Sequence, residues 1–219
     1  MMPNIILHNS ISLDGSLINF AVNMELHYQI AGKYKPDAHL IGSNTIESGI
    51  KLFGSSSPEE KNDFIKPKRS NNLPFWIIID SKGKLINHLH EIRRFEFCKD
   101  VLILLTKETK KNYIEYLKSR NYDFHIIGEK KVDLKKSFEL LKNKYNINNI
   151  LTDTGRILGN ILLQEGYVNE ISLLIHPAIV GNNGYTIFSD IKKAIQLKID
   201  KQEIFQKRYI WLTFKTIKS

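Results

Sequence analysis

Short runs of continuous apolar residues alternate with amphipathic stretches along almost the whole chain. We predict that the apolar runs are strands, and they span residues 4–12, 37–42, 74–80, 100–106, 122–128, 147–153 and 170–181. The last run must end near Pro177, because proline has no backbone N–H to donate to a neighbouring strand. Apolar residues at helical spacing predict helices over residues 24–35, 107–121, 132–146 and 156–166. Continuous apolar strands that are separated by helices indicate a parallel sheet buried on both faces.

The C-terminal part of the chain predicts a different kind of pairing. Residues 196–200 and 207–217 are typical of a final antiparallel pair of strands. The fold class is therefore α/β, with three layers, a mostly parallel central sheet and an antiparallel C-terminal edge. No internal repeat or linker divides the chain, so its length predicts a single domain over residues 1–219. A segment at about residues 49–73 is polar and interrupted by Gly, Ser and Pro, which predicts a long loop excursion.

The charge of the chain is compatible with two classes of ligand. Lys and Arg number 32 against 23 Asp and Glu, which gives a formal charge of +9. The basic residues are mostly lysines in segments that also contain acids, such as EKKVDLKK, and no run alternates basic and aromatic residues. This pattern favours a solvated lysine surface around a site for an anionic ligand over a nucleic-acid surface.

Cysteine content and hydropathy indicate the cellular compartment. The single cysteine, Cys98, cannot form an internal disulfide and cannot by itself build a zinc site. No apolar run reaches the roughly 18 residues that a membrane span requires. The start, MMPNIILHNSISLDG, lacks the basic region of a secretory signal. We therefore expect a cytoplasmic protein that has no metal site and binds neither membrane nor nucleic acid.

Three turns combine polar residues with glycine at the ends of predicted strands. Ligands of open α/β sheets bind beyond the carboxyl ends of the strands, so a site is expected at such turns. Asp14 and Gly15 follow the first strand, and on spacing alone they are more typical of an ordinary turn than of a ligand site. Gly42 ends the second strand, and the polar residues 43–45 can either cap the next helix or help its N-terminus to hold an anion.

The third turn lies in the stretch ILTDTGRILGNILLQEG. Asp153 ends a strand, Gly155 permits close backbone approach, and a helix begins near Arg156. Gly159 lies one turn inside that helix, where glycine costs about 1 kcal/mol relative to alanine. Such a glycine marks either close packing or a ligand against the helix. The stretch does not match the G-x-G-x-x-G dinucleotide fingerprint, so alone it does not identify a cofactor.

Four blocks of the sequence, in this order and spacing, resemble one family. The blocks are SLDG at 12–15, DAHLIGSNT at 37–45, IIIDSKGKL at 77–85 and the long stretch from His125 to Gly181. Together they are similar to the reductase domain of the bifunctional riboflavin-biosynthesis deaminase/reductase, which shares the dihydrofolate reductase fold. The resemblance covers nearly the whole chain. The last block, with its acid, glycine turn, EGYVNE and HPAIVG, is the most specific.

The resemblance implies an NADPH-dependent reductase that converts the ribosyl group of a pyrimidine riboflavin precursor to ribityl. The implied substrate is 5-amino-6-(5-phosphoribosylamino)uracil, and the implied assembly is a homodimer. Cofactor-binding residues carried over from the family are Ile11, Gly42, Thr45, Ser81, Thr154, Gly155, Arg156, Ile157 and Leu158. Lys82 or Lys107 could add positive charge for the cofactor's 2′-phosphate.

The substrate side departs from the family pattern. Gly49 stands where the family has an Asp, Thr154 replaces one glycine of the turn, and the first helix lacks the family's basic residues. The predicted substrate-binding residues are Asn23, Glu25, His27 and Asp153. Asp153 is also the first choice for a catalytic carboxyl group, and Glu47 is the second. Glu47 is more typical of an exposed acid near a helix N-terminus than of a catalytic group.

These departures leave other functions open. A reductase of the same fold could act on a pterin or another substrate. A non-catalytic nucleotide-binding protein could retain the cofactor cleft without the acid. A nucleic-acid binder is the most distant alternative, and salt-dependent retention on DNA would identify it.

Overall fold

The computed structural model describes residues 2–53 and 58–217. In chain order, its strands are β1 (Asn4–Ser12), β2 (Ala38–Gly42), β3 (Phe75–Ile79), β4 (Val101–Leu105), β5 (Asp123–Ile126), β6 (Asn149–Thr152), β7 (Glu170–His176), β8 (Leu197–Phe205) and β9 (Tyr209–Thr216). Its α-helices are α1 (Met24–Lys33), α2 (Ser43–Phe53), α3 (Leu89–Arg94), α4 (Lys111–Ser119), α5 (Leu134–Tyr145) and α6 (Arg156–Gln164).

These elements form two compact units, and each unit is assembled from separate segments of the chain. The first unit comprises Met1–Pro3 and Asp37–Asn148, and the second comprises Asn4–Pro36 and Asn149–Ser219. That residues 1–219 act as a single reductase domain stays a prediction.

The first unit is a parallel α/β layer structure. Its strands pair in the order β5-β4-β3-β2, and every pair is parallel. Ile78 and Ile103 belong to a core that also contains residues of α2, α3 and α4. Their neighbours of opposite parity, Ile77, Leu102 and Leu104, are fully buried as well. Burial on both faces explains why these strands are continuous apolar runs in the sequence.

The second unit combines parallel and antiparallel pairing. Its strands lie in the order β6-β1-β7-β9-β8, with β1 parallel to β6 and β7, and β9 antiparallel to β7 and β8. Leu7 on one face of β1 lies against Gly159 of α6. Ser10, on the other face of the strand, contacts His27 of α1. Helices α1 and α6 therefore cover opposite faces of this sheet, which gives the predicted three layers.

Most of the predicted elements are confirmed. Every strand predicted from an apolar run is present, and β7 ends at His176, immediately before Pro177. The C-terminal pair is antiparallel as predicted, although β8 extends to Phe205 because it pairs with β9 along its length. Helix α3 lies in a stretch without a predicted element, although Leu85, Leu89 and Ile92 have helical spacing and are all buried.

The polar excursion predicted at about residues 49–73 begins later than expected. Helix α2 continues to Phe53, because Ile46 and Ile50 lie one turn apart and both pack onto the core of the first unit. Residues 54–57 lie outside the described part of the chain. After them, a short 3-10 helix spans Lys61–Phe64.

Arginines hold the excursion to the first unit. Arg94 Nη2 lies 2.6 Å from Asp63 Oδ2, and Arg93 Nη1 donates a 2.8 Å hydrogen bond to the carbonyl oxygen of Asp63. Arg120 Nη2 lies 3.0 Å from Glu59 Oε2. Asp63 is buried. The segment is therefore polar because it carries the acids of these ion pairs, and not only because solvent covers it.

The packing of Gly159 against β1 gives a first testable prediction. A Cβ atom at this position would lie 3.5 Å from Leu7 Cδ1, which is ordinary van der Waals contact. Because alanine also favours the helix by about 1 kcal/mol, we expect Gly159→Ala to raise the free energy of unfolding by about 0.5–1 kcal/mol. Chemical denaturation measures the free energy of unfolding. A loss of stability in this variant would show that α6 requires the glycine.

Gly83→Ala is the matched control for that substitution. Gly83 has a φ of +67°, and a Cβ there would lie 2.8 Å from Tyr113 Cγ. We expect this variant to lose stability, because alanine is strained at positive φ and the buried ring cannot retreat.

Candidate active site

Three parallel strands of the second unit end at one edge of its sheet, which we call the carboxyl edge. β1 ends at Ser12, β6 at Thr152 and β7 at His176. The turn at Asp153 and Gly155 leaves this edge and enters α6. The sequence placed the candidate site at such an edge, and the predicted residues Ile11, Asp153 and 154–158 all lie at the carboxyl edge of the second unit.

A buried row of polar side chains lies on β1 beneath α1. His8 and Ser12 have no exposed surface, and Ser10 is 8% exposed. Buried polar groups cost several kcal/mol unless they are hydrogen-bonded, so such a row requires partners. The sequence prediction of an apolar strand missed this row. The sequence does contain a signal for this buried row, because His8, Ser10 and Ser12 alternate along the strand with apolar or amide residues.

Both ring nitrogens of His8 have hydrogen-bond partners. Its Nε2 lies 3.2 Å from the carbonyl oxygen of His27. Its Nδ1 lies 2.9 Å from Ser172 Oγ and 3.3 Å from the carbonyl oxygen of Ser172. Ser172 Oγ in turn accepts a 2.8 Å bond from Trp211 Nε1. Burial, with a smaller contribution from the nearby His27, lowers the pKa of His8 to about 3, so the ring is neutral.

His27 lies between a hydroxyl group and a carboxylate. Its Nδ1 is 3.0 Å from Ser10 Oγ, and its Nε2 is 3.9 Å from Asp153 Oδ2. The ring stacks on His8 with 4.4 Å between centroids. The side chain of His27 is 7% exposed and that of Asp153 is 15% exposed. Two residues that were predicted separately for the substrate side, His27 and Asp153, are therefore brought together; their contact with substrate stays a prediction.

The other predicted residues of α1 are placed differently. The Asn23 side chain caps α1 by accepting a 3.0 Å bond from the backbone N–H of Leu26. The backbone N–H of Asn23 donates to His176 Nε2 at 3.0 Å. Burial lowers the pKa of His176, which keeps that nitrogen an acceptor. Glu25 is an exposed acid in the first turn of α1. The substrate roles of Asn23 and Glu25 stay predictions.

The N-terminus of α6 has the character of an anion site. Gly155 is its N-cap and has no side chain to cap it, and the first turn carries no acid. The Asn9 amide, which was not predicted, holds the preceding turn by donating to the carbonyl oxygens of Thr154 at 3.3 Å and Asp153 at 3.4 Å. Arg156 Nε lies 3.0 Å from Asp190 Oδ2. Helix N–H groups and the helix dipole favour a negative ligand at such an end.

Asp14 ties two loops of the carboxyl edge together. Its carboxylate accepts from Ser12 Oγ and from the backbone N–H groups of Val180 and Gly181. The hydrogen bond from Ser12, followed by that from Gly181, lowers the pKa of Asp14 to about 2. The SLDG motif is therefore more than a turn signal, because its acid anchors the loop that follows β7.

Several large apolar side chains at the carboxyl edge are exposed. Leu13 follows β1 and is 63% exposed, Ile157 begins α6 and is 56% exposed, and Ile179 follows β7 and is 76% exposed. Met24 and Tyr28 of α1 are also exposed. An edge that combines exposed apolar groups with a few polar groups is typical of a ligand site.

Predicted residues of the first unit lie at the carboxyl edge of its own sheet. Gly42 is the last residue of β2, and Thr45 lies in the first turn of α2. Ser81 follows β3, and its carbonyl oxygen accepts a 2.9 Å bond from Thr109 Oγ1. Their cofactor contacts stay predictions, as do those of Ile11, whose side chain is buried.

Glu47 belongs to the same region of the first unit. Its carboxylate lies 3.0 Å from Lys84 Nζ and 3.1 Å from Lys51 Nζ. The hydrogen bonds from these lysines, that from Lys84 first, lower the pKa of Glu47. A carboxyl group that two lysines hold ionised is a poor proton donor at neutral pH. Its predicted catalytic role stays untested and has no support from this geometry.

The described residues contain neither a membrane-spanning helix nor a metal-binding cluster. Over residues 2–53 and 58–217, no helix is long and apolar enough to cross a membrane. In the same residues, no cluster of three His, Cys, Asp or Glu side chains could hold a metal ion.

Comparison of the fold with solved structures confirms the dihydrofolate reductase-like class. A pyrimidine reductase-like protein from Corynebacterium diphtheriae matches with a TM-score of 0.72 and 17% identity, over 99% of this chain and 93% of that one. The riboflavin biosynthesis reductase Rib7 from Saccharomyces cerevisiae matches with a TM-score of 0.69 and 22% identity, over 99% and 90%.

Sequence comparison identifies the family. The riboflavin biosynthesis protein RibD of Chlamydia pneumoniae is 26% identical over 190 residues, which is 82% of this chain and 47% of that protein. The 2,5-diamino-6-ribosylamino-4(3H)-pyrimidinone 5′-phosphate reductase of Saccharomyces cerevisiae is 28% identical over 126 residues, 54% of this chain and 49% of that protein. The chain thus spans about half the length of these curated relatives. Residues 3–211 match the RibD C-terminal domain family, and the chain belongs to that family.

Proposed function

We propose that the chain is an NADPH-dependent reductase that converts the ribosyl group of a pyrimidine riboflavin precursor to ribityl. The family membership supports the reaction class. The observation that carries the proposal is the α6 N-terminus, which has no first-turn acid and whose N-cap, Gly155, lies two residues after Asp153. One edge of the second unit thus has a place for a diphosphate beside a carboxylate for the substrate.

The residues present fit the cofactor in kind. Residues 154–158 would hold the diphosphate through the helix end, and Ile11 would border the nicotinamide through its backbone. Gly42, Thr45 and Ser81 of the first unit stay predicted cofactor contacts. Bound NADPH supplies a hydride. This chain's own residues orient the ligands and exclude water.

The 2′-phosphate that distinguishes NADPH from NADH would lie near positive charge. Lys82 is exposed immediately after Ser81. Lys107 is 68% exposed but lies 2.6 Å from Glu129, which neutralises part of its charge. We therefore favour Lys82 over Lys107 for this contact.

Two pyrimidines are candidates for the substrate. The first is 5-amino-6-(5-phosphoribosylamino)uracil, which the resemblance implies. The second is the 2,5-diamino-pyrimidinone ribosylamine phosphate named for the yeast relative. They differ by an amino group in place of an oxygen on the ring. An ionised Asp153 would accept a hydrogen bond from either ring, with more donors available on the diamino compound.

Absorbance of the reduced nicotinamide tests the proposal. We expect the purified chain to oxidise NADPH when either pyrimidine is supplied, and to do so faster than with NADH. NADPH alone should raise the melting temperature. A dihydropterin serves as the control substrate.

Each alternative has its own outcome in this experiment. Turnover of the pterin in place of the pyrimidines would select a different reductase of this fold. Tight NADPH binding without turnover of any substrate would select a non-catalytic nucleotide-binding protein. The absence of both binding and turnover would contradict the proposal entirely.

We also propose a cytoplasmic homodimer. An apolar surface on the β8–β9 pair supports the dimer: Ile204 and Ile210 face each other across the strands and are 70% and 39% exposed. Ile199, also on β8, is 64% exposed. Exposed apolar patches of this kind mark association sites. Sedimentation at about twice the chain mass of 25.4 kDa would support the dimer.

A further inference from the structure

We propose that His27 and Asp153 act as one proton-delivery pair, with His27 as the proton donor and Asp153 as the group that holds it charged. The inference rests on the proposed reductase function and goes beyond it by assigning the proton. Reduction of a C=N or C=O bond needs a proton in addition to the hydride, and the chain has Gly49 where the family has an Asp.

The geometry around His27 suits a cationic ring. When both ring nitrogens carry hydrogen, Nδ1–H donates to Ser10 Oγ at 3.0 Å, and Nε2–H points toward Asp153 Oδ2 at 3.9 Å. In that form each ring nitrogen would face an acceptor oxygen, from the Ser10 hydroxyl on one side and the Asp153 carboxylate on the other.

The gap between the two groups has the size of a substrate atom. A distance of 3.9 Å is too long for a direct hydrogen bond between His27 Nε2 and Asp153 Oδ2. An oxygen or nitrogen atom of a ligand can lie about 2.8 Å from each of them. Such an atom would accept from His27 and, when it is a hydroxyl or amine, donate to Asp153.

Three further rings surround His27. His8 stacks on it from β1, and burial keeps His8 neutral by lowering its pKa. The rings of Tyr28 and His27 meet edge to face with 5.1 Å between their centroids, and His176 approaches from β7. His8 is a positioning residue, because its ring stacks on His27 and its Nε2 lies 3.2 Å from the backbone carbonyl oxygen of His27.

The hydride and the proton go to different atoms of the reduced bond. NADPH, when bound, would supply the hydride and its two electrons to the carbon of the C=N or C=O bond. The π electron pair of that bond would move to the heteroatom and take the proton from His27 Nε2, so that a new N–H or O–H bond forms and the ring becomes neutral. His27 would then regain a proton from solvent.

The first arm of the test compares His27→Gln with wild type over pH. We expect kcat/KM for the pyrimidine to fall about 10²-fold or more in the variant. In wild type the rate should fall on the alkaline side of the pH profile, and this limb should be absent from the variant. His88→Gln, at a half-buried histidine outside the site, should keep the wild-type rate and profile. A variant with full rate, or with the same limb, would overturn the assignment.

The second arm needs neither substrate nor cofactor. NMR of the ring nitrogens follows the protonation of each histidine with pH in wild type and in Asp153→Asn. The His27 transition should move to lower pH when the carboxylate is removed, and an unmoved transition would contradict the pair. If wild type shows no turnover of either pyrimidine, the proposed function fails. The NMR measurement still shows whether Asp153 affects the protonation of His27.

Folding of the variants is checked separately. His27 stacks on His8, so melting temperatures accompany every rate. His27→Asn is the second variant. If it folds, it must show the same loss of rate and of the alkaline limb, and a folded variant that keeps either would contradict the proposal.

Discussion

Lowering the pH from 7 to 5 is expected to cost the folded protein about 2 kcal/mol through His8 alone. The unfolded chain takes up a proton on this ring near pH 6.5, whereas in the folded state burial holds the pKa of His8 at about 3. Between these values the unfolded state binds more protons. The stability contributed by the neutral ring is therefore complete above pH 6.5 and is lost progressively as the pH falls toward 3. Urea unfolding followed at a series of pH values measures the loss.

Two variants separate this effect from the titration of other groups. His8→Gln removes the titrating ring, so its loss of stability between pH 7 and 5 should be smaller by about 2 kcal/mol than in wild type. Ser172→Ala also breaks the hydrogen bond to His8, but it leaves the imidazole in place. We expect that variant to be less stable at pH 7, while its free energy of unfolding still falls as steeply with decreasing pH as in wild type. Equal dependence in wild type and His8→Gln would show that the ring is not held neutral.

Arg93→Met is expected to lower the free energy of unfolding by about 3–5 kcal/mol, because it leaves buried partners uncompensated. Arg93 is 3% exposed and donates from Nε to Asp100 Oδ1 at 2.8 Å. Its Nη atoms donate to the carbonyl oxygens of Asp63, Arg120 and Asn121. Methionine fills much of the space but supplies none of these donors. Chemical denaturation of the whole chain gives the change.

Two further variants test the reason for that loss. Arg93→Met combined with Asp100→Leu removes the stranded carboxylate, so we expect part of the stability to return. The three carbonyl oxygens still lack a donor, so the recovery of stability should be incomplete. Arg208→Met changes an exposed arginine and should alter stability by less than about 0.5 kcal/mol. A similar small change for Arg93→Met would contradict the role of the buried guanidinium.

The sequence predicted the strands better than the connections between them. Continuous apolar runs are recognisable because strands buried on both faces tolerate few polar residues, and Pro177 marks the end of β7 by its chemistry. Helix α3 has only a short apolar pattern, which was missed. The length of β8 depends on pairing with β9, which no local pattern in its exposed residues shows. The turn between β8 and β9 uses Gln206 and Lys207 at positive φ, so no glycine marks it.

The site was predicted only in part, for a similar reason. Asp153 and the start of α6 could be recognised because a strand end, an acid and a glycine turn are adjacent in the chain. Ser172 and Trp211 could not be linked to His8 by sequence, because each lies on a different strand and ordinary apolar strands surround them. Asn9 looks like an irregularity in β1, and only the fold shows that it holds the carbonyl oxygens before α6.

By itself, the sequence determined the α/β class, the order of the strands along the chain, the family and the turn that leads into α6. These properties depend on local periodicity and on residues that are close in the chain. The tertiary structure decided which polar groups are buried together: His8 beneath α1, His27 beside Asp153, and Arg93 among the carbonyl oxygens of Asp63, Arg120 and Asn121. The physical reason is that the cost of burying a polar group, and the partner that offsets it, are set by packing between distant segments.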